Sequence, residues 1–222
     1  MRKPRRLPPE ELAPYEWHPP RRFSRWGVGT IEGPGVGKEG LGVRGEGLVS
    51  SDPHGPPSSP IPSPLSPHPY PLDWPALFGN PNPVEVEVGM GKGLFLLTQA
   101  ADRPAVNFFG IEVVRKYQLY ATTRFAGRRL PNVKTTCADA KALFREFIAP
   151  ASVAAVHVLF PDPWWKARHK KRRVFTPELA ADVARALPVG GRLHVASDVA
   201  EYFGVMTGIL RAMPAFHERG AE

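Results

Sequence analysis

The stretch VEVEVGMGKG, residues 84–93, decides the fold of this chain. Its β-branched half predicts a strand over Val84–Val88, and the alternating glycines after it predict a turn that opens a helix at Leu94. Gly89 and Gly91 let the backbone pass close to a bound molecule, and the N–H groups at the start of the helix face that molecule. The stretch therefore predicts a binding site where the first strand ends.

Short β-branched runs alternate with helical stretches over the rest of the chain, which is typical of βαβ units around a parallel sheet. The further strands are expected at Val106–Glu112, Val133–Cys137, Ala154–Phe160 and Arg192–Ser197, and the helices at Leu94–Ala101, Val114–Ala126, 140–148, 177–187 and Glu201–Met213. We predict an α/β domain over residues 73–222 with a doubly wound, mainly parallel sheet. In such sheets, ligands bind beyond the carboxyl ends of the strands, where the strand order reverses.

The front of the chain has a different composition. Residues 1–83 hold 19 of the 27 Pro and 11 of the 21 Gly, which excludes long helices and sheet interiors there. Residues 50–71, SSDPHGPPSSPIPSPLSPHPYP, have little apolar surface to bury. We therefore expect residues 1–72 to form a Pro- and Gly-rich extension that is disordered or loosely attached.

Positive charge is concentrated at one place in the sequence. The formal net charge is +8, and the run Lys166–Arg173 supplies six Lys and Arg residues with no acid among them. A local basic patch of this kind indicates a polyanionic partner.

The cysteine, histidine and hydropathy patterns exclude several classes of protein. Cys137 is the single cysteine, which excludes an internal disulfide framework and a Cys-rich zinc module. The seven His residues show no ligand spacing, so we predict no metal site. No export signal is readable after the basic N-terminus, and the apolar run Ala151–Phe160 is too short to span a membrane. We expect a cytoplasmic protein without membrane contact.

The residues around the first turn favour a cationic nucleoside over a dinucleotide. Gly93 follows Gly91 by two residues, whereas the dinucleotide fingerprint Gly-x-Gly-x-x-Gly requires a longer step. Glu87 precedes the turn, where a carboxylate repels a pyrophosphate but attracts a cation. Glu112 ends the second strand 19 residues beyond Gly93, near the spacing at which an acid accepts both hydroxyls of a ribose.

Acids recur at the ends of all five predicted strands. Asp139, Asp162 and Asp198 follow the third, fourth and fifth strands, so each strand delivers a carboxylate to one edge of the sheet. A helix cap explains any single one of these acids equally well, but it does not readily explain all five.

The loop after the fourth strand, FPDPWWKARHKKRR at residues 160–173, combines a rigid acid, aromatic rings and a polycation. Pro161 and Pro163 stiffen the backbone on both sides of Asp162. Trp164 and Trp165 offer flat faces for a base, and the cations that follow can neutralise phosphates. The residues that we assign to nucleic-acid contact are Lys166, Arg168, His169, Lys170, Lys171, Arg172 and Arg173.

These motifs resemble those of the bacterial tRNA (guanine-N7)-methyltransferases. The similar stretches are EVGMGKG (87–93), GIE (110–112), FPDPW (160–164) with the basic run after it, and HVASD (194–198). The resemblance runs from about Trp74 to about Leu210. It implies a Rossmann-like class I methyltransferase that moves a methyl group from S-adenosylmethionine to N7 of a guanosine in the variable loop of tRNA. It also implies a cofactor site that includes Glu87, Glu112, Asp139 and Asp162, with Asp162 as the catalytic residue, and tRNA contacts by Lys166 and Asp198.

Three features depart from the family pattern. Glu85 lies where the family strand usually has an aliphatic residue, so we expect Glu85 to be paired or that face of the sheet to be open. The Pro-rich front has no counterpart in the family. The chain stops at Glu222, before the Thr-x-Phe-Glu-x-Arg-Gly substrate motif of the family, which leaves open a fragment or an altered C-terminus.

Guanine N7 has an exposed lone pair and carries no proton, so its methylation needs no general base. We predict that Asp162 holds the N–H donors of the guanine and stabilises the positive charge that develops on the base. Three alternatives stay open: methylation of an exocyclic amine in another nucleic acid, a nicotinamide-dependent dehydrogenase, and a non-catalytic tRNA-binding module. The glycine spacing and the lack of an evident hydride-transfer acid count against the dehydrogenase. We expect a monomer.

Overall fold

The computed structural model describes residues 7–19 and 72–219. The strands are β1 (Val84–Val88), β2 (Asn107–Glu112), β3 (Val133–Cys137), β4 (Ala155–Leu159) and β5 (Arg192–Ala196). The helices are α1 (Pro9–Leu12), α2 (Trp74–Phe78), α3 (Leu94–Asp102), α4 (Arg115–Gly127), α5 (Ala140–Glu146), α6 (Pro177–Ala186) and α7 (Ala200–Arg211), with 3₁₀ helices at Ala13–Tyr15 and Ala167–Arg172. No helix within the two described ranges is long and apolar enough to cross a membrane.

The five strands form one parallel sheet in the order β3-β2-β1-β4-β5. Because β1 pairs with β2 on one side and with β4 on the other, the strand order reverses between β1 and β4. Glu87 of β1 lies opposite Gly110 of β2 and His157 of β4. The prediction of a doubly wound parallel sheet is confirmed, and its topology places the expected ligand crevice beyond the carboxyl ends of β1 and β4.

Alternate residues of the central strands face two separate apolar layers. Val86, Phe109 and Val156 pack against the helices α5, α6 and α7 on one face. Phe108 packs against α3 and α4 on the other face. Every residue of β1 and β2 is buried, as is typical of parallel strands covered on both sides. Because both faces of β1 and β2 are covered, the carboxyl ends of these strands, where the candidate site residues lie, are held in fixed positions.

Residues 7–19 fall in the segment that the sequence predicts to be disordered, but they pack against the domain. The N–H group of Trp17 donates to the carbonyl of Thr135 at 2.8 Å, next to the free edge of β3. The Trp17 ring packs edge-on against Phe109 and Phe147, and Leu12 is buried. The prediction is wrong for this segment because composition does not reveal which large apolar side chains bury against a sheet edge.

The described residues on either side of the gap at 20–71 meet at Phe147. The ring of Phe147 lies 5.6 Å from the ring of Trp17, centroid to centroid. Its carbonyl accepts a hydrogen bond from the N–H of Leu72 at 3.3 Å. Leu72 is buried in the core, so the folded domain includes it. The remainder of the predicted extension, residues 1–6 and 20–71, lies outside the described residues.

Local capping signals predict some helix boundaries and miss others. Thr176 caps α6, since its Oγ1 accepts a hydrogen bond from the N–H of Leu179 at 3.3 Å, and Pro177 occupies the first turn, as predicted. Helix α2 and the 3₁₀ helix Ala167–Arg172 are not predicted, because helices of five and six residues are too short to show an apolar period.

The sheet face that carries Glu85 is polar and partly open. The Glu85 carboxylate accepts a hydrogen bond from Nη1 of Arg103 at 3.1 Å and lies 2.9 Å from Nε2 of His157, which confirms that Glu85 is paired. Burial by itself raises the pKa of Glu85, but the hydrogen bonds and charges of His157 and Arg103 outweigh burial and lower the pKa to about 2. The ring of His194 stacks on His157 at 4.8 Å. These side chains line a depression of about 600 Å³.

Candidate active site

A tight glycine turn connects β1 to α3. Gly89, Gly91 and Gly93 have φ angles of +75°, +53° and +68°, in the left-handed region that favours glycine. The N–H groups of Gly89 and Met90 both donate to the carbonyl of Ile111, at 2.9 and 3.1 Å. These hydrogen bonds tie the turn to the end of β2, so the ends of the two strands form one unit.

The glycine turn is crowded on one side and open on the other. A Cβ on Gly93 would lie 2.5 Å from the ring of Phe125 and 2.8 Å from the Cβ of Ala121, so Gly93 allows α3 to pack closely on α4. By contrast, apart from the neighbouring residues in the chain, no atom of the described residues lies within 4 Å of the Cβ position of Gly89 or Gly91. The turn therefore leaves space beside the two glycines that the sequence assigns to ligand binding.

Glu112, at the end of β2, holds the glycine turn in place. Its Oε2 accepts a hydrogen bond from the N–H of Gly91 at 2.9 Å, and its Oε1 accepts one from the N–H of Val114 at 2.8 Å. The Glu112 side chain is buried. Each carboxylate oxygen can accept more than one hydrogen bond, so Glu112 can still accept hydrogen bonds from a ligand's hydroxyl groups.

Glu87, near the end of β1, has a buried carboxyl oxygen without a partner. Its Oε2 makes no hydrogen bond with any described residue. Burial, together with the nearby charge of Glu112, raises the pKa of Glu87 from 4.5 to about 8. A buried carboxylate next to a second carboxylate is costly unless a cation lies beside it. Glu87 and Glu112 together therefore suit a positively charged ligand.

Asp139 and Asp198 follow β3 and β5, and both are exposed. Oδ1 of Asp139 accepts a hydrogen bond from the N–H of Lys141 at 2.9 Å and so caps α5, which is the simpler of the two explanations that the sequence allows. Asp198 makes no hydrogen bond or ion pair within residues 7–19 and 72–219. The topology brings both acids to the sheet edge that carries Glu87 and Glu112, but no direct contact in the described residues joins them to that pair.

Asp162 is exposed in a constrained loop that follows β4. The loop begins at Phe160, whose N–H donates to the carbonyl of Ala196 in β5 at 2.8 Å. Phe160 and Trp164 have φ angles of +50° and +45°, a conformation that costs residues other than glycine about 1 to 3 kcal/mol each. Bulky residues in the left-handed region on both sides of Asp162 require surrounding contacts that hold the loop in this shape.

The basic run presents part of its charge to solvent. Its exposed side chains include Lys166, Arg168, Lys171 and Arg172. His169 is half-buried and accepts a hydrogen bond from Nε of Arg168 at 3.2 Å. Lys170 belongs to the same 3₁₀ helix, Ala167–Arg172. The sequence prediction of a cationic surface after Asp162 agrees with these positions.

The two tryptophans of the loop have different surroundings. The guanidinium of Arg172 lies 5.1 Å from the ring centre of Trp164, and His169 packs edge-on against the same ring at 5.8 Å. Trp165 is 61% exposed, and Phe160 is 63% exposed. The exposed aromatic surface near Asp162 is therefore formed by Trp165 and by Phe160, which the sequence does not single out as a stacking residue.

Arg173 does not belong to the exposed basic surface. It is only 8% exposed, and its Nε donates to the carbonyl of Pro163 at 2.7 Å. Its guanidinium lies 4.7 Å from the ring centre of Tyr202 in α7. The structure places Arg173 apart from the exposed cations with which the sequence grouped it, because its guanidinium is enclosed between the Asp162 loop and α7. The sequence gives no signal for this burial, since the last cation of a basic run has the same sequence context whether its side chain is exposed or buried.

Comparison with known proteins identifies the family. A family model described as "Putative methyltransferase" matches residues 81–221, more than half of the chain. The chain belongs to this methyltransferase family. Membership favours methyl transfer over the nicotinamide-dependent dehydrogenase that the sequence left open.

Individual relatives of this chain carry more specific names than the family does. A tRNA (guanine-N(7)-)-methyltransferase from Rhodopirellula baltica is 49% identical over 132 residues, which are 57% of this chain and 49% of that protein. One from Aliivibrio fischeri is 40% identical over 147 residues, 65% of this chain and 61% of that protein. The resemblance drawn from the motifs is thus confirmed, and the chain spans about half to three fifths of the length of these relatives.

Comparison with solved structures finds one that is similar to part of this chain. It is a SAM-dependent O-methyltransferase from Thermotoga maritima, which is 18% identical over 60% of this chain and 44% of that chain, with a TM-score of 0.47.

Proposed function

We propose that this protein transfers a methyl group from S-adenosylmethionine to N7 of a guanosine in the variable loop of tRNA. Family membership supports methyl transfer, and the names of the relatives support tRNA and the N7 atom as the target. The proposal includes tRNA as the partner, the cytoplasm as the location and a monomer as the working form.

The observation that carries the proposal is the buried, partnerless carboxyl oxygen of Glu87 beside Glu112. When bound, S-adenosylmethionine supplies a methyl group on a positively charged sulfur. A cation of this kind offsets the repulsion between two buried carboxylates, whereas a pyrophosphate would increase it. The open side of the turn at Gly89 and Gly91 gives room for such a ligand. Glu112, Asp139 and Asp162 complete the proposed cofactor site.

Asp162 acts on the base in this proposal. N7 of guanine carries no proton, so no proton has to be removed before the methyl group is transferred. The Asp162 carboxylate accepts hydrogen bonds from the N–H groups of the guanine and so fixes the base. Methylation at N7 leaves a positive charge on the base, and a carboxylate already in place stabilises that charge without reorganisation.

The exposed cations next to Asp162 are proposed to bind the tRNA backbone. Lys166, Arg168 and Lys171 are exposed in the segment that follows the Asp162 loop, and Asp198 stands at the same edge of the sheet. Cations bind phosphates by a sequence-independent attraction that weakens as salt is added. The tRNA backbone would therefore be held by this surface while Asp162 selects the base.

Two measurements on the full chain test the proposal. The first is calorimetric titration of S-adenosylmethionine, with Glu87→Gln as the variant expected to weaken binding. The second is methyl transfer to tRNA, followed by mass analysis of the nucleosides. Asp162→Asn keeps the shape of the side chain but removes its charge, and we expect it to lower the rate of transfer by about a hundredfold.

Each outcome has a defined meaning. N7-methylguanosine as the product supports the proposal, and methylation of an exocyclic amine refutes the choice of target atom. Binding of tRNA without heat from S-adenosylmethionine identifies a non-catalytic tRNA-binding module instead. Transfer by Asp162→Asn at the wild-type rate refutes the role given to Asp162.

A further inference from the structure

We propose that Arg173 is a positioning residue that fixes the orientation of Asp162 through the carbonyl of Pro163. The proposal rests on the proposed function for the role of Asp162, but the contacts of Arg173 are independent of it. Arg173 therefore differs from the exposed cations that precede it in the sequence, because it serves the loop rather than the tRNA backbone.

The Asp162 loop has few hydrogen bonds of its own. Pro161 and Pro163, on either side of Asp162, lack the N–H group that would otherwise donate. At the start of the loop, the N–H of Phe160 donates to the carbonyl of Ala196. On the other side of Asp162, Nε of Arg173 donates to the carbonyl of Pro163 at 2.7 Å. The Arg173 hydrogen bond thus holds the residue that directly follows Asp162.

The loop also needs such support because its backbone is strained. Phe160 and Trp164 both adopt positive φ angles, and residues held in this region persist only when surrounding contacts over-determine them. A charged donor to a carbonyl makes a stronger hydrogen bond than a neutral donor does. Without Arg173, we expect the segment from Asp162 to Trp164 to relax toward more common backbone angles, which would move the Asp162 carboxylate.

Tyr202 fixes Arg173 from the opposite side. Tyr202 is fully buried in α7, and the Arg173 guanidinium lies over its ring. Burial raises the pKa of the Tyr202 hydroxyl. The charge of Arg173 acts to lower this pKa, and the charge of Asp162 acts to raise it. Both charged side chains therefore act on the same phenol. Through Arg173, the orientation of Asp162 is coupled to a helix whose position is set by the apolar core.

A matched pair of variants of the full chain tests this proposal. Arg173→Gln removes a buried cation, and Lys171→Gln removes an exposed cation two residues earlier. Hydrogen exchange of a peptide covering residues 160–166 should be faster in Arg173→Gln and unchanged in Lys171→Gln. The salt dependence of tRNA binding should respond in the opposite way. The plot of log K against log salt concentration should become less steep by about 0.7 to 0.9 in Lys171→Gln, whereas its steepness should not change in Arg173→Gln.

Kinetics give a third readout that loss of global stability does not reproduce. We expect Arg173→Gln to lower kcat about a hundredfold, as a misplaced catalytic group does, and to leave KM for tRNA near the wild-type value. Lys171→Gln should instead raise KM. Arg173→Lys keeps the charge but not the planar donor group, so it should show the loop exchange and kcat loss of Arg173→Gln. It also provides the test if the Gln variant does not fold.

The results distinguish this proposal from the proposed function. If the wild-type protein transfers no methyl group, the proposed function fails, while loop exchange and salt slope still decide the role of Arg173. The role of Arg173 is refuted if Arg173→Gln lowers the salt slope as Lys171→Gln does, since Arg173 would then contact phosphate. It is equally refuted if the exchange of residues 160–166 is unchanged, or if Arg173→Lys restores kcat in full.

Discussion

Replacing Glu87 by Gln should stabilise the unliganded protein, and the gain should grow with pH. The pKa of Glu87 is raised from 4.5 to about 8 by burial and by the charge of Glu112. Below pH 4.5 the carboxyl is neutral in the folded and unfolded states, so it costs nothing. Between pH 4.5 and 8 the unfolded chain ionises while the folded chain keeps its proton, so the free energy of unfolding falls as pH rises.

The size of the effect follows from the two pKa values. Each unit of pKa difference is worth about 1.4 kcal/mol, so the cost of Glu87 is under about 1 kcal/mol at pH 5, about 3 kcal/mol at pH 7 and about 5 kcal/mol above pH 8. Glutamine is neutral throughout and avoids this cost. At pH 7 the variant should melt about 10 °C above the wild-type protein.

The assay is thermal or urea unfolding of both proteins from pH 5 to pH 9. Titrating groups that do not interact with Glu87 are shared by wild type and variant, so their contributions cancel in the difference. Glu85→Gln is the matched control, because Glu85 lies on the same strand and is also buried, but its pKa is lowered to about 2. Its charge stabilises the fold above pH 4.5, and that stability is lost as pH falls toward 2. Glu85→Gln should therefore destabilise the protein at pH 7, the opposite sign to Glu87→Gln, and solvent screening at the partly exposed Arg103 keeps the loss below the value that the pKa shift alone implies.

In binding S-adenosylmethionine, the wild-type protein should be superior to Glu87→Gln, which is the reverse of their order in stability without ligand. A cation beside Glu87 favours the ionised carboxyl, so at pH 7 the wild-type protein must release a proton when it binds S-adenosylmethionine. The ratio of wild-type to Glu87→Gln affinity should rise by up to about tenfold per pH unit below pH 8 and level off above it. A stability difference that is the same at pH 5 and pH 8, or a variant that is less stable than wild type at pH 8, would refute this reasoning.

Three further predictions concern the scaffold. Gly93→Ala should lower the free energy of unfolding by about 3 kcal/mol in urea titration, because the added Cβ collides with the Phe125 ring and the backbone is in the left-handed region. An unchanged urea midpoint would contradict the packing of α3 on α4. Trp17→Ala should cost about 2 kcal/mol, since the half-buried ring packs on Phe109 and Phe147, and a neutral effect would show that residues 7–19 do not stabilise the domain. Thr176→Ala should cost about 1 kcal/mol by removing the cap of α6, whereas Thr176→Ser should retain it.

The sequence predicts the sheet well because its signals are local. The strands Val84–Val88 and Val133–Cys137 have the predicted bounds, since each is a short run of strand-forming residues between turn residues. The acids at the strand ends follow from topology, because carboxyl ends of parallel strands meet at one edge. The positive φ angles of the glycine turn are likewise implied by glycine itself.

The features that the sequence misses depend on contacts between distant residues. Trp17 lies far from Thr135 in the chain, so its pairing with the edge of β3 leaves no local signal. Arg173 shares its composition with the exposed residues before it, and only the position of Tyr202 shows that it turns inward. Asp139 caps α5, and the role in the cofactor site that the sequence also predicts for it remains a prediction, so sequence alone does not separate the two roles.

Glu85 and Glu87 show most directly why the sequence is not sufficient. They are the same residue type on the same face of one strand, and both are buried, yet burial leads to opposite results. Arg103 and His157 compensate the charge of Glu85, while the charge that acts on the pKa of Glu87 belongs to a second carboxylate, Glu112. The fold itself therefore neutralises the charge of Glu85, whereas the charge of Glu87 is left for a ligand to neutralise. A positively charged ligand would stabilise the ionised carboxyl of Glu87, and the sulfonium donor of the proposed function has this property.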